Sequence, residues 1–568
     1  MFASDTLTYY FTSSTSWVFL VSLLPVIAFI SSTLGFEAAD GRKGEDKTPP
    51  TIPYIDPLLG HALSLVWSPA EFISKILVNY GWRKPLRIYA AWLPLTIVSN
   101  PSHIQTVFRS SKYLTSKPSL IFALKYLIGT PSEIIKSYAK DDSGMAARPN
   151  KGSTIKHADR IQFHQAQTAR RFLSGQHLVQ IAERYVATFL RNLRGLPAIN
   201  TDEWVEFPDL YHFLQMEIAR ASIETIMGSE ILKMNPTLIQ DFWAFDMSVP
   251  QFTRCLPRWL MPSAYRARDR LLKNIKEWHA HARANVDYTK TNDDDPEWEP
   301  YFGSKLIRAR QEYSLNTSFM NADSCASEDL GLMMASNSNA VMSAFWYIYE
   351  ALRDVDLLKR MLSEVDMCTG LDGLDTSKLS TQPLLQSAYA ETLRLRIAIA
   401  MTRTNESDDF RLDGYRIPKG DPLIIFSRTS ALNTEAWTLA GKPPTDKTPL
   451  QDFYADRFLV PKKPAEAGED GSSSDLTSAG PEYEFSLDGT AGCWLPYGGG
   501  ERMCPGRHFA KTEIIGTFAS LFSQYDVELV GADPRVESDL RYFPTGGLPP
   551  TGKVPFRIRK KQLRGTGF

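Results

Sequence analysis

The chain is short of several features that sort proteins quickly. Its 568 residues hold 63 Lys and Arg against 64 Asp and Glu, a formal charge of −1. That balance excludes the strongly basic footprint of a nucleic-acid binder. Cysteines are few: Cys255, Cys325, Cys368, Cys493 and Cys504, odd in number and widely scattered. Such a set builds no disulfide framework and suits a reduced compartment. A GxxxxGK[ST] phosphate loop is missing. No internal repeat is visible, and the chain carries no flavin- or dinucleotide-binding domain. What remains, 43% hydrophobic and 22% charged residues, is ordinary for a large globular chain.

The longest gap in charge runs from Thr6 to Phe36, and its apolar part is densest between Trp17 and Ile30, with Pro25 placed to kink it. About 20 helical residues span a bilayer core, so residues 1–36 read as a membrane anchor. A cleaved secretory signal is the alternative, but no positive segment precedes the run. Arg42, Lys43 and Lys47 follow it, which by the positive-inside rule leaves the C-terminal bulk cytosolic. Residues 37–60, with Pro49, Pro50 and Pro53, form a stiff, extended linker. Beyond it helical patterns dominate, broken by short β-like pieces such as a hairpin from Leu86 to Val98. Residues 461–490 are polar and Gly/Ser-rich, and read as a surface insertion.

Chemistry concentrates at Tyr497-Gly498-Gly499-Gly500-Glu501-Arg502-Met503-Cys504-Pro505-Gly506, just ahead of an apolar helical pattern (Phe509, Ile514, Ile515, Phe518). Glycines let a backbone take positive φ and come close to a flat ligand. A cysteine before a helix start sits where free N–H groups and the dipole stabilise a thiolate. Arg502 lies close enough to pair with an acidic group on that ligand. One thiolate, a flat bed and a buried cation together fit haem, whose thiolate ligation favours O–O cleavage. The blander alternatives are a glycine-rich surface turn and an anion-binding loop.

The order aromatic, two residues, Gly, one residue, Arg, one residue, Cys, one residue, Gly resembles the cysteine loop of the cytochrome P-450 superfamily. Tyr497, Gly500, Arg502, Cys504 and Gly506 fill its places, with Tyr where Phe is usual. The resemblance implies a mainly α fold with a small β region, a haem domain over residues 61–563 and a tail at 564–568. It also implies haem b with Cys504 as axial ligand, bedded on Tyr497, Gly498 and Gly506.

Further motifs follow in the superfamily's order. A helix over Phe163–Ser174 puts Ala166 where a Trp is usual and Arg170 where a propionate-binding Arg is usual; Arg170, Arg171 and His164 alternatively make a solvated basic face. Ser327-Glu328-Asp329 reads as the capped, acidic first turn of a helix that stays apolar apart from a polar island, Ser336-Asn337-Ser338-Asn339. In an unrelated protein that island would simply pack on another helix. Where most members carry an acid and a threonine to hold O₂ and relay protons, this chain has Ser338 and Asn339. An amide hydrogen-bonds oxygen but donates no proton at neutral pH. Asn339, the Phe345-Trp346 pair and the Gly547-Leu548-Pro549-Pro550 element resemble the branch of sterol 7α- and 12α-hydroxylases and prostacyclin synthase.

Glu391 and Arg394 share a helix face. Glu217/Arg220 and Glu350/Arg353 have the same spacing, so position selects the third pair: it precedes Arg403, a β-hairpin at 414–421 and Arg457. By resemblance Glu391, Arg394 and Arg457 are a structural triad and Arg403 is a second propionate ligand, with a plain surface arginine as the alternative. The implied function is a monooxygenase of the endoplasmic-reticulum membrane, single-pass and facing the cytosol, acting on a lipophilic substrate, a steroid or terpenoid. Its electrons come from NADPH through NADPH-cytochrome P-450 reductase, with cytochrome b5 as a second donor. Arg507, Lys511 and Arg171 offer a basic docking face. The alternatives are a redox-neutral isomerase or dehydratase, motivated by Asn339, and a non-catalytic haem sensor.

Overall fold

The computed structural model describes residues 23–39, 47–370, 373–408, 410–462, 483–531 and 535–562. Residues 23–39 are helical, and Phe36 packs edge-on against Tyr80 with ring centroids 5.1 Å apart. Residues 1–22 of the expected anchor lie outside the described residues. Among those described, no helix is long and apolar enough to cross a membrane, so the structure gives the expected anchor no support. The 461–490 insertion also falls mostly outside them. Its edges meet as a two-stranded sheet, Leu459–Pro461 against Tyr483–Phe485. The tail lies outside as well.

Helices dominate, as expected. Those that position the site are α1 (Ile161–Phe172), α2 (Gly175–Arg194), α3 (Leu210–Met227), α4 (Leu238–Asp246), α5 (Pro262–Asn285), α6 (Lys305–Asn316), α7 (Ala322–Arg353), α8 (Pro383–Arg396) and α9 (Arg507–Gln524). Helices α2, α3, α7 and α9 pack against one another in a ring, α7 on α3 and α9, α2 on the same two. The fit is close because small and polar groups sit at the contacts. A Cβ on Gly516 would lie 3.1 Å from Val186. Tyr185 Oη meets Thr517 Oγ1 at 2.7 Å, and Ser222 Oγ donates to Glu513 at 2.7 Å, both inside the core. Buried polar groups are generally paired in this way.

The main sheet of the small β region is mixed, in the order β1-β2-β4-β3-β5 with the short strand Leu114–Thr115 also paired to β3, where β1 is Leu86–Ala90, β2 Leu93–Ile97, β3 Ile397–Asn405, β4 Pro422–Phe426 and β5 Thr545–Gly547. The expected hairpin is β1–β2, in register Leu86 opposite Ile97. Strand β4 runs parallel to β2 and antiparallel to β3, and β5 closes the sheet with Gly546 opposite Ala398.

Helix α7 starts earlier than its acidic pair suggested. Asn321 caps it: its Oδ1 accepts from Ser324 N at 3.0 Å while Ser324 Oγ accepts from Asn321 N at 2.8 Å, a reciprocal capping box. Ser327, Glu328 and Asp329 are therefore inside the helix and buried. Glu328 accepts from Gln165 at 2.7 Å and Tyr313 at 2.8 Å, with Tyr138 also bonded to it; Asp329 meets His279 and Arg310, each at 2.8 Å. Burial, with Asp329 beside it, holds the Glu328 carboxyl well above its usual range. The pair is a tertiary node joining α1, α5, α6 and α7, since buried carboxylates must find partners.

Candidate active site

Helices α7 and α9, β3 and the segment before α9 enclose a cavity of about 360 Å³ with Cys504 on its wall. Tyr497, Gly498, Arg502, Gly506 and Asn339 line the same cavity, so six of the sequence-selected residues converge on one space. Cys504 lies before α9, whose N-cap is Gly506. Burial pushes the thiol up, while the backbone N–H groups of Gly506 and Arg507 and the Arg507 charge pull it down. Those are the groups that a metal-bound thiolate uses.

The glycines divide the work. Gly498 takes φ +69° and its open face meets only Met401 Sδ, 3.7 Å from an added Cβ. Gly499 and Gly500 do something other than admit a ligand: an added Cβ would sit 2.2 Å from the Phe108 ring and 2.5 Å from Phe108 O. Two of the three glycines seat the loop on its neighbouring helix.

Arg502 is buried enough that desolvation pulls its basicity down. Its one side-chain hydrogen bond is to Gln162 Oε1 on α1, and its Nε has no partner among the described residues. Arg403, on β3, donates to Thr402 O at 2.9 Å and Gly499 O at 3.1 Å, and its charge opposes that of Arg502. Neither guanidinium is in a salt bridge among the described residues. Glu501 offsets part of both charges and Asp141 part of that of Arg502, but two half-buried cations side by side, one with an orphaned N–H, still favour an anion between them. A thiol on the wall, glycine beds at 498 and 506 and two guanidiniums without a salt bridge fit a flat dianionic cofactor with one soft-ligand metal. Haem has that description.

Two expected residues stand elsewhere. Arg170 is exposed and off the cavity, because α1 turns Gln165, Thr168 and Ala169 inward instead; Gln162 is the α1 residue that touches Arg502. Ser338 faces away too: its Oγ bonds Asp246 at the end of α4, buried and pushed up to about 6 by desolvation. Only Asn339 of the pair reaches the cavity. The expected basic docking face is also altered. Lys511 Nζ turns in to Gln386 at 2.6 Å and burial pulls it down to about 8, Arg507 bonds Cys504 O at 3.1 Å, and Arg171 pairs with Asp293 at 2.6 Å.

The triad is assembled. Glu391 accepts from Arg394 Nε at 2.7 Å and Nη2 at 2.8 Å, from Arg457 Nε at 3.0 Å and from Tyr454 N at 3.0 Å. The opposite side of α8 grips the cysteine loop. Tyr389 and Tyr497 join hydroxyls, and Trp494 Nε1 donates to Ala390 O at 2.9 Å. Sequence reasoning missed Gln162, Asp246 and Glu513. Glu513 lines the cavity and is pushed up to about 8 by burial. Its place on the buried face of the helix after Cys504 was the available signal.

A deeply set cysteine flanked by two cations that make no salt bridge among the described residues, on a ring of four helices with a small sheet beside it, defines a haem-thiolate type of centre. The cytochrome P-450 family model matches residues 145–550, and the chain belongs to that family. It is 33% identical over 565 residues to the cytochrome P-450 monooxygenase efuG of Hormonema carpetanum, covering 96% of this chain and 97% of that one. Against the cytochrome P-450 monooxygenase fsoE of Humicola fuscoatra the figures are 32% over 534 residues, 92% and 89%. The cholesterol 7-alpha-monooxygenase of Cricetulus griseus is 24% identical over 567 residues, 96% of this chain and 99% of that protein. The chain is accordingly a cytochrome P-450 monooxygenase by family.

Proposed function

We propose that this enzyme oxidises a lipophilic substrate, a steroid or terpenoid, with O₂ and with electrons from NADPH passed on by a separate reductase. The observation that carries the reading is Cys504 in a largely apolar-walled cavity whose charged rim, Arg502 with Arg403 behind it, makes no salt bridge among the described residues. Cys504 would hold the iron, Arg502 and Arg403 the propionates, and Gly498 and Gly506 the ring edge. The bound haem supplies O–O cleavage and oxygen insertion into a C–H bond. Leu393, Ile397, Ile399 and Met401 present an apolar wall to the substrate side, so orientation comes from shape and from the amide of Asn339.

The sterol preference rests on resemblance to the cholesterol 7-alpha-monooxygenase and on Asn339, Trp346 and the Gly547–Pro550 element. Membrane residence is supported by large apolar side chains left in the open: Trp67 is 91% and Trp92 90% exposed. Trp is favoured where a membrane meets water. Asn339, in place of an acid–alcohol pair, favours one other reading, a redox-neutral isomerase. Membranes containing the enzyme and a reductase, fed a steroid and terpenoid panel under ¹⁸O₂, distinguish the two. Product that gains ¹⁸O only when NADPH is present is expected. Conversion without NADPH and without label would replace the monooxygenase by the isomerase.

A further inference from the structure

We propose that strand β5 and helix α7 form a fixed clamp that presents Asn339 to the cavity as a hydrogen-bond donor only. The inference rests on the haem-thiolate reading and adds to it which side-chain atom faces the bound ligand and what holds that atom there.

Asn339 and Trp346 are seven residues apart, two helical turns, and so share a face of α7. Gly547 N donates to Asn339 Oδ1 at 2.6 Å, and Trp346 Nε1 donates to Leu548 O at 2.7 Å. Consecutive residues at the end of β5 are thus each answered by a side chain of one helix. The strand is held from its other edge by β3 and by Leu548 N donating to Arg396 O at 2.9 Å. Two glycines make the approach possible. A Cβ on Gly546 would stand 2.6 Å from Asn339 Oδ1, and one on Gly547 3.0 Å from Met342 Sδ.

The orientation of a side-chain amide is read from its hydrogen bonds. Here a backbone N–H points at it, so the oxygen must face β5. The flipped amide would set N–H against N–H and strand a backbone donor inside the fold. Nδ2 is left for the cavity, with two hydrogens and no lone pair to accept with. Nearby hydroxyls of α7 do not change this. Ser336 Oγ donates to Met333 O at 3.1 Å, Ser343 Oγ to Asn339 O at 2.8 Å, and Ser338 Oγ to Asp246. The residue over the cavity therefore recognises an oxygen lone pair on whatever is bound and neither takes nor gives up a proton. Asn339 is the contacting residue, and Gly546, Gly547 and Trp346 are positioning residues.

Infrared spectra of the carbon monoxide complex of the reduced haem-loaded enzyme test the clamp. A donor near the bound oxygen atom draws electron density into the ligand and lowers the C–O stretch, whereas a lone pair there raises it. Asn339→Asp keeps an acceptor for Gly547 N and turns the cavity-facing donor into an acceptor; Asn339→Leu removes both. The stretch is expected to rise in N339L and to rise further in N339D, measured well above the usual carboxylate range. Gly546→Ala should move it towards the N339L value, and Trp346→Phe, which places no atom on the cavity wall, should broaden it. An unmoved stretch in N339L, or a fall in N339D, overturns the proposal. So does a shift in N339L that G546A does not share. The carbonyl absorption band, recorded on the same samples, separates the two levels of failure. Without a thiolate-type band in the wild type the haem reading and the proposal fall together; with that band and an unmoved stretch, the proposal alone falls. N339D is close in shape to the native side chain and stays informative where N339L does not fold.

Discussion

Replacing Glu391 by Gln changes almost nothing of the side chain's volume and removes one negative charge from a fully buried place. Glu391 and Arg394 are both essentially inaccessible, and Arg457 is 9% exposed. The carboxylate collects four hydrogen bonds, two from Arg394, one from Arg457 and one from Tyr454 N. An amide at this place accepts on one end only and turns its NH₂ towards a guanidinium. With the amide oxygen at the Oε1 place, Arg394 Nε loses its acceptor and faces an NH₂, and no negative charge remains between two buried cations whose other partners are backbone carbonyls, among them Ala431 and Leu450 for Arg394 and Thr448 and Pro449 for Arg457. Breaking a buried pair in this way costs about 3–5 kcal/mol. A domain of roughly 500 residues unfolds with an entropy of about 1 kcal/mol/K, so the midpoint should drop by about 3–5 °C. Because the other side of α8 holds Tyr497 and Trp494, E391Q should also lower the fraction of haem bound as thiolate. Differential scanning calorimetry and the carbonyl band measure the two effects. A midpoint within about 1 °C of wild type, with the band intact, would refute the argument that this network braces the cysteine loop.

Arg502→Leu should have opposite effects on the empty and loaded protein: removing a half-buried cation that makes no salt bridge stabilises the haem-free form, while the lost charge-assisted bond, worth about 1.5–3 kcal/mol, speeds haem transfer to an apo-globin about 10- to 150-fold. Equal thermal shifts of the same sign in both forms would contradict it. Asp246→Asn separates by pH. The folded carboxyl is raised from 3.8 to about 6, so it holds its proton more tightly than the unfolded chain does. Wild type thus carries no penalty below about pH 4, loses stability as pH climbs through that interval and bears the full cost, about 3 kcal/mol, above about pH 6. D246N should match wild type at pH 4 and unfold at a higher temperature at pH 8; the reverse order would mean that Asp246 is stabilised as the anion.

Local chemistry was readable in the chain and tertiary direction was not. Cys504, Arg502, Gly498 and Gly506 lie within nine residues, so their convergence follows from one loop. Glu391, Arg394 and Arg457 needed only order along the chain, since a helix-face pair and one later arginine leave little freedom. Ser338 and Arg170 stand off the cavity for a shared reason: which way a helical side chain turns depends on the helix packed against it. Asp246, 92 residues upstream, claims Ser338. For α1 the inward face carries Gln165, Thr168 and Ala169, leaving Arg170 to solvent. The acidic pair Glu328-Asp329 imitates a helix start, and only its distant partners Tyr313, Arg310 and His279 show that it belongs inside. The true start, Asn321 with Ser324, is a legible box that the more strongly acidic pair overshadowed. Likewise, what Gly499 and Gly500 admit is Phe108, a residue nearly four hundred positions away that no local pattern points to.

The central claim is that Cys504 binds haem iron as a thiolate. The reduced, carbon monoxide-bound difference spectrum of the wild type beside Cys504→Ser tests it most directly. The account predicts the red-shifted thiolate-type band in the wild type and its loss in C504S, with the overall fold kept by circular dichroism. The same band in both proteins, or in neither while haem is bound, would contradict it.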